Sequence, residues 1–109
     1  MDERSYEQRV ADTFRRVLDL FEDVDPQEAD VETSGDVVRI DLPGGKRVVL
    51  NTQRPVHQIW LAGAQSAWHF DYDEPQQRWL DDKGRGELFA ILTRTVQEMG
   101  GPSLPVGGP

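Results

Sequence analysis

Carboxylate side chains are concentrated in the first third of this sequence. The first 36 residues hold twelve Asp and Glu against four Arg, whereas the rest of the chain holds eight acids and eight bases. Such a surface repels nucleic-acid backbones and attracts cations or a basic protein. Carboxylates are also hard oxygen ligands, suited to Mg²⁺, Ca²⁺, Mn²⁺ and iron. No basic residue interrupts the acids Asp19, Glu22, Asp23, Asp25, Glu28, Asp30, Glu32 and Asp36.

The first of these acids fall on a predicted helix. Apolar residues recur at helical spacing from Tyr6 to Phe21, and Ser5 is the predicted N-terminal cap. Pro26 prevents the helix from running much further. At 100° per residue, the acids lie on the side opposite the apolar stripe, which includes Leu18. They are Asp12, Asp19 and Asp23, with Glu22 flanking.

Metal sites along this acidic face are expected to be open to solvent rather than enclosed by protein. The row continues past the helix through Asp25, Asp30 and Glu32, which offers several mono- or bidentate sites and no closed cage. Binding is therefore expected to be weak, multiple and poorly selective. The alternative is a solvated acidic face that serves solubility only.

A second candidate surface lies on the predicted strand from Val56 to Ala62. Strand alternation puts Ile59 and Leu61 on one side and Gln58 and Trp60 on the other. If the aliphatic side chains face the helices, Trp60 projects from the opposite face, where an exposed indole is typical of a protein interface. The alternative is an indole that neighbouring strands partly cover.

Catalytic patterns are not evident in the sequence. It contains no Cys, no Gly-rich phosphate loop and no HExxH motif. His57 and His69, the only histidines, are either metal ligands or hydrogen-bonded surface residues. Trp68, Phe70, Trp79 and Phe89 are predicted to be core residues. An enzyme is therefore the weaker hypothesis.

The predicted elements follow the order helix, five or six short strands, helix. Two amphipathic helices each need an apolar surface, and packing both on one sheet face gives a two-layer α+β sandwich with an antiparallel sheet. The second helix is predicted at Glu87–Met99. Residues 1–100 form the predicted domain, and 101–109 form a Gly/Pro-rich tail with Leu104 and Val106 as possible anchors.

The run from Asn51 to Ala62, NTQRPVHQIWLA, resembles the frataxin family, and specifically its bacterial branch. The family pattern is N-x-Q-x-P-x-x-Q-[IV]-W-[LM], and the similarity extends over about residues 5–99. Trp79 and the acidic first helix agree with it. One departure is His69, where some members carry an Arg. The resemblance implies two terminal helices on one face of an antiparallel sheet.

The resemblance also implies a function in iron–sulfur cluster assembly. Frataxins bind ferrous and ferric iron weakly along the acidic ridge, and other divalent cations are possible ligands. They bind the cysteine desulfurase and the scaffold protein, and the bacterial forms resemble regulators of assembly or iron donors. The implied metal ligands are Asp12, Asp19, Glu22, Asp23, Asp25, Asp30 and Glu32. The implied partner-binding residues are Asn51, Gln53, Gln58 and Trp60.

Two other functions remain open at this point. One is ferroxidase or iron-storage activity, and the other is a metal-independent acidic interaction module. The acidic N-terminus is unlike a signal peptide, and no apolar run approaches the ~20 residues that span a bilayer. We therefore expect a cytoplasmic protein with no nucleic-acid or membrane partner. It is expected to be a monomer, with an iron-dependent oligomer as the alternative.

Overall fold

Two helices pack on one face of a six-stranded antiparallel sheet, as predicted. The computed structural model describes residues 1–105. The strands lie in chain order from β1 to β6, and each pairs with the next through a short turn. At the first turn Gly35 has φ of +56°, a conformation that glycine adopts without strain. The elements are α1 (Glu3–Leu20), β1 (Asp30–Ser34), β2 (Val37–Leu42), β3 (Lys46–Gln53), β4 (Gln58–Gly63), β5 (Ser66–Asp73), β6 (Arg78–Asp81) and α2 (Leu88–Glu98).

Helix α1 begins and ends earlier than the sequence pattern predicts. Asp2, not Ser5, is the N-cap, and its carboxylate accepts a hydrogen bond of 2.8 Å from the Ser5 amide. A carboxylate is favoured here because it meets the positive end of the helix dipole, and this hydrogen bond lowers the pKa of Asp2. The helix ends at Leu20, so Asp23 lies beyond it rather than on its face.

The core fills the space between the helices and the sheet. All four aromatic residues predicted as core are buried. On α1, however, Leu18 is 39% exposed, while Thr13 is buried and accepts a 2.9 Å hydrogen bond from the Trp79 indole. That hydrogen bond satisfies an N–H group which would otherwise be buried without a partner.

The Tyr6 hydroxyl joins helix α1 to the backbone on both sides of the turn between β3 and β4. Fully buried Tyr6 donates a 2.6 Å hydrogen bond to the Gln58 carbonyl and accepts one of 3.2 Å from the Gln53 amide. Burial raises the pKa of this tyrosine. Strand β4 starts at Gln58, not at Val56 as predicted, because residues 54–56 form a 3₁₀ turn and His57 adopts the left-handed conformation.

The connection from β6 to α2 is organised by Asp81. Its side chain is 0% exposed and accepts hydrogen bonds from the backbone of Lys83 and from both the backbone and guanidinium of Arg85. Burial alone would raise the pKa of this carboxyl, but the hydrogen bonds from Arg85 outweigh it and hold the pKa below its usual range. The loop is therefore held in one arrangement, which also sets the position of Asp82.

The start of the predicted tail contacts the domain. The Gly101 amide donates a 2.9 Å hydrogen bond to the Val96 carbonyl, and half-buried Leu104 packs against the core. The predicted anchor Val106 lies outside the described residues. Within residues 1–105, neither helix has the length and apolarity required to cross a membrane.

Replacing Tyr6 by Phe is expected to lower the free energy of unfolding by about 1–2 kcal/mol, because the Gln58 carbonyl and the Gln53 amide both lose a buried partner. Chemical denaturation measures the change. Tyr72→Phe is the matched control, since the Tyr72 hydroxyl makes no hydrogen bond within the described part of the chain. Equal stability of the two variants would contradict the role of the hydroxyl.

Asp81→Asn is expected to cost about 2 kcal/mol at pH 7, because the amide cannot accept the charge-assisted hydrogen bonds from Arg85. The folded-state pKa of Asp81 is lowered, so its contribution is present above the unfolded pKa of about 3.9 and is lost as the pH falls through the folded pKa. The stability difference should thus shrink below about pH 4. Denaturation from pH 2.5 to 8, with Asp23→Asn as an exposed control, tests this, and a pH-independent difference would refute it.

Candidate functional site

The sheet face opposite the helices carries two polar rows that run across three strands. Asn51 on β3, Trp60 on β4 and His69 on β5 are cross-strand neighbours, and we call them the indole row. Next to it, Gln53, Gln58 and Asp71 form the amide row. Because alternate residues of a strand share a face, all four predicted partner-binding residues lie together on this surface.

The indole of Trp60 is held in place on the open face by its neighbours. Ile59 and Leu61 are fully buried beneath it, as the alternation predicts, while Trp60 is half-buried. Its ring stacks on His69 with the centroids 4.0 Å apart and the planes 15° from parallel. Its Nε1 donates a 2.9 Å hydrogen bond to Gln58 Oε1. Trp60 is therefore partly covered by neighbouring strands and partly exposed, so both interpretations of this residue are partly met.

Gln58 is held by two carboxylates that the sequence reasoning did not assign to this surface. Its Nε2 donates to Asp71 Oδ1 at 3.1 Å and to Asp82 Oδ2 at 3.4 Å. The alternation of β5, in which Trp68 and Phe70 are buried, would have placed His69 and Asp71 on the open face. No pattern in the sequence indicates Asp82, because the loop after β6 brings it there.

The seven predicted metal ligands fall in three separate places. Asp12 and Asp19 lie on α1, and Asp30 and Glu32 lie on the edge strand β1. The segment that joins these two elements carries the remaining three, which are Glu22, Asp23 and Asp25. The predicted ligands are therefore spread along the chain path from the helix to the sheet edge.

The two acids on β1 face away from the helices. Val31, between them, is half-buried against the core, so Asp30 and Glu32 share the open sheet face by strand alternation. The predicted ridge thus passes from the helix layer to the sheet layer rather than along one helix side.

Basic side chains neutralise only part of the predicted ridge. Asp12 lies 3.6 Å from Arg15, and Glu32 forms an ion pair with Arg39. Within residues 1–105, the other five have no basic nitrogen within 4 Å of their carboxylates. These five, which we call the unpaired carboxylates, are Asp19, Glu22, Asp23, Asp25 and Asp30.

Two acids at the start of α1 share one arginine with Asp36. Arg54 lies 3.5 Å from Glu3, 2.9 Å from Glu7 and 2.8 Å from Asp36. Its hydrogen bond lowers the pKa of Asp36. The run of acids with no basic residue between them begins at the far end of α1 and continues in the segment that follows it.

The donor chemistry fits weak binding of hard cations at single carboxylates. In the described part of the chain, no three His, Asp or Glu side chains converge in a way that could hold a metal ion. His57 lies 3.0 Å from Glu3 and stacks on Tyr6, while His69 lies 3.9 Å from Asp82. Each histidine thus has protein partners, and neither joins the unpaired carboxylates.

This chain is similar to known proteins over almost its whole length. The chain matches the frataxin-like domain over residues 1–102. A protein named "Iron-sulfur cluster assembly protein CyaY" from Pseudomonas fluorescens (strain Pf0-1) is 32% identical over 108 residues, which cover 99% of this chain and 97% of the relative. Its namesake from Stutzerimonas stutzeri (strain A1501) is 36% identical over 104 residues, covering 95% and 94%.

Solved structures agree with this relationship. Frataxin from Psychromonas ingrahamii superposes with a TM-score of 0.88 at 19% identity, covering 99% of this chain and 100% of that one, so the fold is the same. Trimeric frataxin from Saccharomyces cerevisiae gives a TM-score of 0.70 at 29% identity, covering 83% and 77%. The yeast protein described as complexed with ferrous gives a TM-score of 0.59 at 27% sequence identity. The match covers 92% of this chain and 87% of the yeast chain. The shared fold, the indole-bearing strand and the length of the match establish that this chain belongs to the bacterial branch of the frataxin-like family.

Proposed function

We propose that this protein serves iron–sulfur cluster assembly by docking on the cysteine desulfurase and its scaffold protein and by binding iron weakly. The observation that carries the proposal is the indole of Trp60 on the open sheet face. The names of the bacterial relatives, which describe iron–sulfur cluster assembly proteins, support the pathway.

The indole row and the amide row suit protein recognition. Trp60 offers a large flat apolar surface whose orientation is already fixed by His69 and Gln58, so little conformational entropy is lost when a partner covers it. Aromatic anchors surrounded by polar groups are typical of the centre of protein interfaces. The amides of Asn51 and Gln53 then supply neutral hydrogen-bonding groups around the anchor.

Iron binding is proposed for the unpaired carboxylates. Ferrous and ferric iron accept carboxylate oxygens, and a related yeast frataxin is described as complexed with ferrous. Because the carboxylates are spread over three parts of the chain, we expect several weak sites that also admit other divalent cations. The same negative charge would steer a basic surface of the desulfurase toward the protein.

The proposal assigns no catalytic reaction to the protein. It describes a cytoplasmic regulator of cluster assembly, with iron delivery as an additional role. A monomer is the proposed resting state, although the yeast relative is described as trimeric.

A metal-independent interaction module is the second candidate. It is favoured by the ion pairs of Asp12 and Glu32 and by the lack, among residues 1–105, of a convergent group of three ligands. In that case the carboxylates serve only to meet a basic partner. Partner affinity that is the same with ferrous iron and with a chelator would favour this candidate.

Replacing Asp19 and Glu22 by Lys is expected to weaken both ferrous iron binding and desulfurase binding by about tenfold at low salt. Two carboxylates that attract cations are then replaced by ammonium groups that repel them. Anaerobic NMR titration measures the first, and calorimetry with purified desulfurase measures the second. The effect should diminish at about 0.5 M NaCl, where the Debye length is short.

The matched control places the same charge change at Glu7 and Glu74, which lie outside the predicted ridge and are ion-paired with Arg54 and Arg9. This variant should bind iron and desulfurase nearly as the wild type does. Equal losses in both double variants would show that only net charge matters, which would refute a localised site.

Trp60→Ala is expected to weaken binding to the desulfurase–scaffold complex by at least about tenfold, as removal of an interface anchor does. Its stability should fall by only about 1 kcal/mol, because the ring is half-buried. By contrast, Trp79→Ala in the core should cost about 3–5 kcal/mol. Calorimetry and chemical denaturation separate the two effects, and a core-sized stability loss in Trp60→Ala would contradict the docking role.

A further inference from the structure

A third row on the open sheet face is apolar and extends the proposed docking surface. Val49 on β3, Ala62 on β4 and Ala67 on β5 are cross-strand neighbours, each two residues along its strand from the indole row. We call them the apolar row. Ala62 and Ala67 are exposed and Val49 is half-buried. The surface is therefore polar, aromatic and apolar in that order along the strand direction.

The apolar row forms the floor of a broad groove at one end of the sheet. The groove has a volume of about 820 Å³ and is also lined by Lys46, Arg47, Glu98 and Met99. Gly63 lies in its wall, where a Cβ atom would come within 3.1 Å of Thr95 and 3.2 Å of Val48. An open apolar groove of this size is large enough for one or two aliphatic side chains.

The two ends of this surface carry opposite charge. At the amide row, Asp71 and Asp82 contact Gln58, and no Lys or Arg within residues 1–105 pairs with either carboxylate. At the groove, Lys46 lies at the rim, because it pairs with buried Leu42 and so leaves β3 on the helix side, and it has no carboxylate within 4 Å in the described part of the chain.

The remaining charges at the groove largely cancel. Arg47 lies 2.7 Å from Asp41, and Glu98 lies 3.7 Å from Arg94. Lys46 is therefore the one groove cation with no partner among residues 1–105, and this end is positive in a chain whose net charge is −8.

We propose that the groove receives an extended segment of the same partner protein that covers Trp60, with an aliphatic side chain over the apolar row and a carboxylate beside Lys46. This inference rests on the proposed function, which supplies the docking face. Alternate side chains of an extended chain are about 6.8 Å apart, which equals the spacing of alternate residues along the strands beneath. A segment running along the strands thus places successive outward side chains over the amide, indole and apolar rows.

The charge pattern sets the direction of that segment. Its basic or hydrogen-donating end lies over Asp71 and Asp82, and its acidic end lies at the groove. The opposite direction would bring carboxylates together at the amide row and cations together at Lys46, and such like-charge contacts are unfavourable across an interface.

Two groove variants test the proposal by calorimetry with the purified desulfurase–scaffold complex. Ala62→Asp places a charge on the apolar floor and should weaken binding at least about tenfold. Lys46→Glu should weaken it at least about threefold at low salt, and less at about 0.5 M NaCl. Their controls are Ala90→Asp, at an exposed position on α2, and Lys83→Glu, the only other lysine, and both should bind as the wild type does.

The outcomes distinguish this inference from the proposed function. If Trp60→Ala weakens binding while Lys46→Glu and a folded Ala62→Asp bind normally, the groove is not part of the interface and the inference is overturned. If the wild type does not bind the complex, both the proposed function and the inference fail. Methyl signals of Val49, Ala62 and Ala67 give an independent readout in the wild type: they should shift or broaden when the complex is added, and unchanged signals would overturn the inference.

Discussion

The burial of only one sheet face governs the rest of this structure. Both helices pack on the same side, so strands β2 to β6 alternate between residues in the core and residues that remain available to water or to a partner. Ile59 and Leu61 lie in the core, whereas Gln58 and Trp60, which alternate with them, lie on the face that we propose binds a partner. Core packing and the proposed recognition surface are therefore separated by a single residue step along the chain.

That separation depends on two supports at the Gln58 end of β4. The Tyr6 hydroxyl fixes the turn before Gln58 to helix α1, and the Asp81–Arg85 hydrogen bonds fix the loop that brings Asp82 to Gln58. A face supported in this way would change little on binding the proposed partner, which would lower the entropic cost of association. The acidic segment differs, because most of its carboxylates have no basic partner within residues 1–105, which suits the weak metal binding that we propose.

Much of the fold follows from local patterns in the sequence. The two-layer α+β sandwich, the buried aromatic residues and the orientation of Trp60 all derive from helical and strand periodicity. The element boundaries were less predictable. Asp2 caps α1 in place of Ser5 through a local hydrogen bond, and Leu18 is exposed. Thr13 is buried, where it accepts a hydrogen bond from the Trp79 indole, 66 residues away. Such pairings over long sequence distances leave no periodic signal.

What the sequence by itself determined was the excess of acids in the first third of the chain and which side of each strand a residue takes, since both depend only on composition and on the alternation of the backbone. What only the tertiary structure decided was which groups meet. Arg54 contacts Glu3, Glu7 and Asp36, Arg39 pairs with Glu32, and His69 stacks on Trp60 because strand register and loop paths bring together residues from different elements. Charge is a property of the residues, whereas its neutralisation is a property of the fold.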